Sequence, residues 1–291
     1  MKLKVFFFAL VLMGVVGKSF CQFRAVSEEL KFAEYLVANK QYNDAVYVLK
    51  KQLKAEEKMN PSAADSVNYY IGWSYFNLKI LDSCYFFLSR IGSGPFYLKS
   101  AFYSAFSLAY QKKITESGNY LNTIDLHNDS LLGKVRNLQF AGIALLERDF
   151  TGYEKCAKNF TYNYYALSAE EKNFSDYSDR IKKIKRRSPV VAGLMSAVVP
   201  GAGKFYAGNK GQAMAAFITT AILGLSTAEI YYKQGYKNPN FYVFGSIFTI
   251  FYVGNIWGSS LSVKLAREHQ YRELDDQILF DMHIPLRRIY N

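Results

Sequence analysis

The sequence predicts an all-α protein, in which an N-terminal solenoid of helical repeats is followed by a transmembrane helical hairpin. Apolar residues recur at helical spacing through residues 27–179, where strand-like alternation is scarce. Two long uncharged stretches follow, Gly211–Ala228 with 18 residues and Asn238–Val263 with 26. These observations divide the chain into a signal peptide (1–21), a helical repeat domain (22–179), a basic linker (180–189), a membrane domain (190–263) and a charged tail (264–291).

The N-terminal residues are typical of a secretory signal. Lys2 and Lys4 form a charged start, and Val5–Val16 is an apolar run of 12 residues, shorter than the roughly 20 that a membrane span needs. Ser19 and Cys21 are small residues at the positions that precede a signal-peptide cut. We therefore predict cleavage and export, with an uncleaved anchor as the alternative.

Four segments of the repeat domain are related to one another. They are residues 39–49, 78–88, 112–122 and 147–157, aligned on Ala45, Cys84, Gly118 and Tyr153. The spacings of 39, 34 and 35 residues indicate repeated pairs of helices. Upstream of the second segment, Ile71-Gly72 and Tyr75 resemble the Leu-Gly and Tyr positions of the tetratricopeptide repeat, whereas Asn68 replaces that family's Trp. The resemblance implies a concave surface that binds a protein or peptide, and rarely catalysis.

Aromatic side chains on the first helices of these repeats are candidates for the partner-binding groove. They are Tyr69, Tyr70, Trp73, Tyr103 and Tyr110. Aromatic residues at helical spacing also build the core of a helical domain, and this second interpretation is the one that we favour for most of them.

A basic cluster separates the repeats from the apolar stretches. Its members are Arg180, Lys182, Lys183, Lys185, Arg186 and Arg187. Residues 180–291 carry 15 Lys/Arg against 6 Asp/Glu, so the net charge of +12 is concentrated beside the apolar segments. Because basic residues that flank apolar spans contact anionic headgroups and set topology, we predict lipid contact and no nucleic acid.

The membrane domain is predicted to contain two spans and a shorter apolar segment before them. Val190–Ala202 is interrupted by Gly and Pro, which suits an interfacial or half-span helix. In the second span, Gly254 and Gly258 are four residues apart with Asn255 between them, a spacing that brings membrane helices together. Packing within the hairpin is the simpler interpretation, and a homo-oligomer formed through this face is the alternative.

The stretch PGAGKFYAGNKG, residues 200–211, first suggests a nucleotide-binding loop. Phe205 stands where such a loop needs Ser or Thr, and Val198 replaces its first Gly, which excludes that interpretation. The stretch instead resembles a bacterial membrane domain with two transmembrane segments. The matching residues are Ser188-Pro189, Pro200-Gly201, Gly203, Tyr206 and Gly208. Together with the signal and the repeats, this resemblance identifies the chain with uncharacterised envelope proteins of the Bacteroidetes type, and it implies no established activity.

The chain offers no recognisable catalytic motif. Its three histidines, His127, His269 and His283, are isolated from one another in sequence, and no H-E-x-x-H, C-x-x-C or G-x-S-x-G motif is present. We therefore expect no enzyme activity, no cofactor and no metal. Cys84 and Cys156 remain after signal cleavage, and we favour two separate buried thiols over a disulfide.

The C-terminal residues continue beyond the second span as a charged segment. Residues 264–277 are helix-like, whereas residues 278–290 alternate weakly between apolar and polar positions and predict one short strand. Neither part carries a motif that indicates chemistry.

These features favour a membrane-anchored envelope adaptor or scaffold, which binds a partner protein or peptide through its repeats. The alternative is a membrane hairpin that assists the insertion, assembly or transport of another membrane protein or substrate. We predict location in the inner membrane with periplasmic repeats, although this places the basic cluster on the outer face, against the positive-inside preference. Cytoplasmic repeats with an in–out–in hairpin are the competing topology.

Overall fold

The computed structural model describes residues 28–55, 60–127 and 129–290. The predicted signal peptide, residues 1–21, lies outside the described residues. Every regular element in the described ranges is a helix, which confirms the all-α class. The helices are α1 (28–38), α2 (Tyr42–Ala55), α3 (Pro61–Asn77), α4 (Leu81–Leu88), α5 (Tyr97–Tyr110), α6 (Ile114–Asn122), α7 (Ser130–Glu147), α8 (Phe150–Ala157), α9 (Ser168–Lys183), α10 (Pro189–Val198), α11 (Ala202–Ala207), α12 (Lys210–Gln234) and α13 (Pro239–Tyr290).

The described residues fall into two compact units. The first contains the chain up to Ser175 together with the residues from Ile278 onward, and the second contains Asp176–Gln277. The strand predicted for residues 278–290 is wrong, because these residues are the last turns of α13. A single strand needs a neighbouring strand for its backbone hydrogen bonds, whereas a helix makes these bonds within its own segment.

Four equivalent turns mark the repeats of the first unit. One or two residues after each first helix lies a residue with a left-handed backbone, and the next N–H donates to the carbonyl five residues earlier, as in a Schellman motif. The left-handed residues are Lys40, Lys79, Lys112 and Arg148, with φ of 62°, 63°, 64° and 63°. From α2 to α8, each helix packs against the next one along the chain. Within the described residues, four turns of the same geometry therefore separate successive helices. Their assignment to a family of repeats stays a prediction.

One anchor of the predicted repeat alignment is displaced by a residue. Five positions after each left-handed turn residue lies a buried side chain, and the set is Ala45, Cys84, Ser117 and Tyr153. Ser117 is fully buried and its Oγ donates to the Ala105 carbonyl at 2.7 Å, whereas the predicted anchor Gly118 is only half-buried. Two adjacent small residues look alike in sequence, and only the rotation of α6 decides which one faces α5.

Gly72 explains how the helices of one pair approach. A Cβ atom at this position would lie 2.5 Å from Leu88 Cδ2 and 3.2 Å from the Leu88 backbone nitrogen. Glycine therefore lets α3 and α4 come closer than any larger residue would allow. The sequence prediction that a small residue performs this role in the repeat is confirmed at this position.

The second unit contains the helices that are apolar and long enough to cross a membrane. α12 and α13 both satisfy this criterion, and α10 is a shorter apolar helix. Within the apolar windows of α12 and α13, only 11% and 6% of residues are buried inside the chain. Core helices of a water-soluble domain bury their apolar face, so these exposed surfaces indicate association with a membrane.

The glycine-rich stretch between α10 and α12 is a site of close packing. A Cβ atom at Gly203 would lie 1.9 Å from the Ala192 carbonyl oxygen, so α10 and α11 touch through backbone atoms. The Gly203 N–H donates to Ser196 Oγ at 2.9 Å, and Ser196 Oγ donates to Ser259 Oγ of α13 at 2.7 Å. Gly201 and Gly208 adopt φ of 87° and 98°, which side chains of L-residues disfavour. This stretch turns the chain and joins three helices.

We predict that Gly203→Ala destabilises the second unit by about 1–3 kcal/mol, because the added methyl group overlaps the Ala192 carbonyl. The measurement is the melting temperature of the full chain in detergent. Gly211→Ala is the matched control, since a Cβ atom at Gly211 meets nothing within 4 Å and alanine favours helix. The explanation fails if the two variants melt alike.

Candidate functional site

The inner helices of the repeats hold an amphipathic helix, which is the C-terminal end of the chain itself. We call residues 278–290 of α13 the tail helix. Ile278, Met282 and Leu286 lie at helical spacing on one face of it, and each is 0% exposed. Phe280 lies away from this face and is 62% exposed. The groove that receives the buried face is formed by α3, α5 and α7, the first helices of three repeats.

Aromatic rings from α3 and α5 surround His283 of the tail helix. The imidazole centroid lies 5.2 Å from that of Phe106, 5.7 Å from Phe76 and 6.0 Å from Tyr103. Burial, together with the positive charges of Lys79 and Arg287, lowers the pKa of His283 below its ordinary value. The packed environment therefore favours the neutral form of the His283 ring.

A glycine in α7 makes room for the longest apolar side chain of the tail helix. A Cβ atom at Gly142 would lie 2.6 Å from both Met282 Cγ and Met282 Sδ, and 3.3 Å from the Phe174 ring. The flexible Met282 side chain thus occupies space that any other residue at position 142 would fill.

Polar contacts fix the tail helix along the groove. Gln139, which is 1% exposed, donates from Nε2 to the Met282 carbonyl at 2.6 Å. Lys99 Nζ donates to the Tyr290 carbonyl at 3.0 Å, and the same ammonium lies 4.1 Å from the Trp73 ring centroid. Because a buried amide donor needs a partner, Gln139 fixes the position of the tail helix more strictly than apolar contact would.

An ion pair joins an exposed arginine near the end of the tail helix to a buried carboxylate. Arg288 Nη1 lies 3.0 Å from Glu170 Oε2 and donates to the Ala166 carbonyl at 2.9 Å. Glu170 is only 3% exposed, so loss of Arg288 would leave a buried carboxylate without this cation. Asn173 Nδ2 donates to Asp281 Oδ2 at 2.9 Å on the same side.

Four of the five predicted groove aromatics lie together in the structure, and the fifth lies apart from them. Tyr69, Tyr70, Trp73 and Tyr103 form one cluster, with the Trp73 ring 6.3 Å from Tyr69 and 5.0 Å from Tyr103. Tyr69 and Tyr103 are buried, and burial raises the pKa of Tyr69 to about 12. Tyr110 is 53% exposed and reaches the groove only through the Phe106 ring at 6.0 Å. Their part in binding a partner stays a prediction.

Sequence reasoning missed Phe76, Phe106, Gln139 and Gly142, the residues that contact the tail helix most directly. It also missed the tail helix, although the spacing of Ile278, Met282 and Leu286 was a readable signal. Both thiols are free, as expected, but only Cys84 is buried, whereas Cys156 is half-buried, contrary to the prediction of two buried thiols. Burial raises the pKa of Cys84 to about 12, which makes it a poor nucleophile.

The predicted lipid-contact residues lie at the end of α9 and in the loop that follows it. Arg180, Lys183, Lys185 and Arg187 line a cavity of about 390 Å³ within the second unit. Lys182 and Arg186 belong to the same basic cluster but lie outside the lining of this cavity. The structure thus separates the six residues into two groups.

Two of the three predicted packing residues of the second span, Gly254 and Asn255, line a cavity. A Cβ atom at Gly254 meets nothing within 4 Å, and one at Gly258 meets only the Lys204 side chain. Asn255 is 5% exposed, and neither atom of its amide finds a hydrogen-bond partner among the residues that the structure describes. The helices α12 and α13 approach each other closely at a different position, where a Cβ at Gly224 would lie 3.1 Å from the Phe248 ring.

Comparison with protein-family models, with curated proteins and with solved structures gives no match to this chain.

We predict that Met282→Ala and Leu286→Ala each lower the free energy of unfolding of the first unit by about 2–5 kcal/mol, because each leaves a cavity in the groove. Urea unfolding followed by circular dichroism measures this loss. Phe280→Ala is the control on the same helix and should change little, since Phe280 is mostly exposed. Equal losses in all three variants would show that the groove contact adds no stability beyond that of an exposed position on the same helix.

We also predict that acidification below 6.5, the ordinary pKa of histidine, weakens the packing of the tail helix. The packed state favours the neutral His283 ring, so the unfolded chain binds the proton more tightly and stability falls as the pH decreases. Urea midpoints at about pH 7.5 and about pH 5.5 measure the effect. His283→Phe should flatten this difference, and an unchanged pH dependence in that variant would contradict the assignment.

Proposed function

We propose that the protein is a membrane-anchored adaptor, whose helical repeats bind an amphipathic helical segment of a partner protein. One observation carries this proposal: the groove of α3, α5 and α7 already holds such a helix, supplied by the chain's own tail. Helix-in-groove recognition uses apolar side chains at successive turns, and the tail helix presents Ile278, Met282 and Leu286 in that way.

The contacts of the tail helix define what the partner segment would present. Its apolar face would carry a long flexible side chain opposite Gly142, and its backbone would accept a hydrogen bond from Gln139. A basic residue placed like Arg288 would meet the buried carboxylate of Glu170. We therefore expect a partner helix with an apolar stripe and a cationic C-terminal turn.

The tail helix acts as a built-in competitor for this partner. A covalently tethered segment is present at high effective concentration, so a partner must bind more tightly than the tail helix does, or arrive when the tail helix is released. The protein would thereby discriminate against weakly matching helices.

The proposed setting is the cell envelope, with the second unit in the inner membrane and the repeats in the periplasm. The export signal and the two apolar helices support this setting. Reporter fusions at residues 175, 235 and 291 test it. Cytoplasmic activity of the fusion at residue 175 would instead place the repeats, and the partner, in the cytoplasm.

The binding test uses a chain that ends at Gln277 and a fluorescent peptide of residues 276–290. We expect saturable binding to the shortened chain and about tenfold weaker binding to the full chain, since the tethered tail helix competes. Gly142→Leu in the shortened chain should abolish binding, because it fills the space of Met282. Gly133→Leu is the matched control on α7, where a Cβ atom meets nothing within 4 Å.

Absence of peptide binding to the shortened chain, or equal binding by the two leucine variants, would contradict the groove assignment.

The adaptor role is then tested in cells with a photo-crosslinking residue at position 106. A protein that crosslinks to the Gly133→Leu chain and not to the Gly142→Leu chain is a groove partner, and no difference between these chains would count against an adaptor.

A second candidate function is a hairpin that assists the insertion, assembly or transport of another membrane component. The observation in its favour is a cavity of about 460 Å³ between α12 and α13, with Lys204, Gln212, Thr220 and Asn255 among its lining. Polar groups in membrane segments mark functional sites. Replacement of residues 190–263 by an unrelated pair of spans discriminates: retained partner capture supports the adaptor, and its loss supports the hairpin.

A further inference from the structure

The cavity at the end of the basic cluster has the composition of an anion site. Its volume is about 390 Å³, and it lies wholly within the second unit. Five cationic side chains and one carboxylate line it, from Arg180, Lys183, Lys185, Arg187, Arg267 and Glu273. The positive charges therefore exceed the negative charge by a wide margin in a small space, and a bound anion would relieve their mutual repulsion.

Most of these cations lack an anionic partner among the described residues. Arg180 is engaged, since its Nη1 donates to Gln277 Oε1 at 3.1 Å and lies 3.6 Å from Asp176 Oδ2. Lys183, Lys185 and Arg267 form no ion pair within residues 28–55, 60–127 and 129–290.

Arg187 is held in place by uncharged neighbours. Its guanidinium lies 5.8 Å from the ring centroid of Tyr206, and the Tyr206 hydroxyl accepts a hydrogen bond from the Ser188 N–H at 3.4 Å. A Cβ atom at Gly208 would lie 3.2 Å from Arg187 Nη1, so the absence of a side chain there leaves room for the guanidinium. Arg187 is thus positioned before any ligand arrives, and its hydrogen-bond donors stay available.

The position of the cavity along α13 indicates the kind of anion. Val263 is the last residue of the uncharged stretch of α13, and Arg267 follows it one helical turn later. Both line the cavity, with Leu274 contributing a second apolar wall. A site with apolar walls and a cationic rim at the end of a membrane span lies where lipid phosphates meet acyl chains.

We propose that this cavity binds the phosphate group of an anionic phospholipid headgroup. Arg187 and Arg267 would hold the phosphate oxygens, since guanidinium groups match phosphate geometry bidentately, and Lys183 and Lys185 would add charge. The apolar walls would contact the first carbons of the acyl chains. This site differs from a diffuse attraction of the whole basic cluster to the membrane, because Lys182 and Arg186 take no part in it. It is independent of the adaptor function.

Some residues of the basic cluster line the cavity and others do not, so variants that remove equal charge from the two groups can be compared. We compare the double variant Arg187→Gln, Arg267→Gln with the double variant Lys182→Gln, Arg186→Gln, each of which removes two positive charges. The full chain in a neutral detergent is titrated with a short-chain phosphatidylglycerol, and binding is followed by native mass spectrometry. We expect the first pair to lose about tenfold or more in affinity and the second pair to stay within about twofold of the parent chain.

A charge-retaining variant keeps the test decisive if the glutamine variant folds poorly. Arg187→Lys with Arg267→Lys preserves both charges but removes the bidentate geometry, so we expect a loss of affinity that lies between those of the parent and the glutamine pair. Equal losses in the two glutamine pairs, or no loss in the lysine pair, would overturn the proposal in favour of diffuse electrostatic attraction.

Soluble phosphate is the alternative source of the same chemistry. Glycerol phosphate and inorganic phosphate are titrated in parallel, together with short-chain phosphatidylcholine as the headgroup without net charge. A lipid site predicts that phosphatidylglycerol raises the melting temperature of the parent chain far more than equal concentrations of either soluble phosphate. Equal or greater stabilisation by soluble phosphate, or by phosphatidylcholine, would overturn the assignment to an anionic lipid.

Discussion

The first unit depends on the burial of one apolar stripe. Ile278, Met282 and Leu286 of the tail helix are each fully buried, and each such side chain contributes about 1.5–3 kcal/mol when it leaves water. The repeats alone would present the aromatic rings of α3 and α5 and the cleft at Gly142 to solvent. The tail helix covers them, so the groove whose burial stabilises the first unit is also the surface that we propose for partner binding.

In the proposed function, stability and partner recognition depend on the same contacts. Gln139 and Glu170 are buried polar groups whose partners come from the tail helix, and both would be left without those partners if it departed. A competing helix must therefore satisfy them as well as fill the groove. Polar groups of this kind set which helix fits, whereas the apolar stripe supplies most of the driving force.

In the second unit, apolar side chains are exposed rather than buried. Its long helices leave most of their apolar side chains uncovered, so cohesion within the unit comes from small residues and hydroxyl groups. Ser196 accepts from Gly203 and donates to Ser259, and the Ser260 hydroxyl donates to the Pro189 carbonyl at 2.9 Å. These contacts place the glycine-rich stretch against α13 and let Tyr206 hold Arg187 beside the cavity.

The sequence by itself determined the helical class and the two long apolar stretches. Each of these depends on a local pattern, which is the helical period or an uncharged run of sufficient length. It also excluded a nucleotide-binding loop at residues 200–211, because Phe205 stands where such a loop needs Ser or Thr. Properties that a short stretch of chain carries within itself were therefore predictable.

Only the tertiary structure decided which distant residues pack against each other. The choice of Ser117 over Gly118 required the rotation of α6, and the helical state of residues 278–290 required a groove to cover its apolar face. In the same way, the basic cluster became a defined cavity only when Arg267 of α13 joined Arg187. These pairings join residues that lie far apart in the chain, and no local pattern in one sequence encodes the distance between such residues.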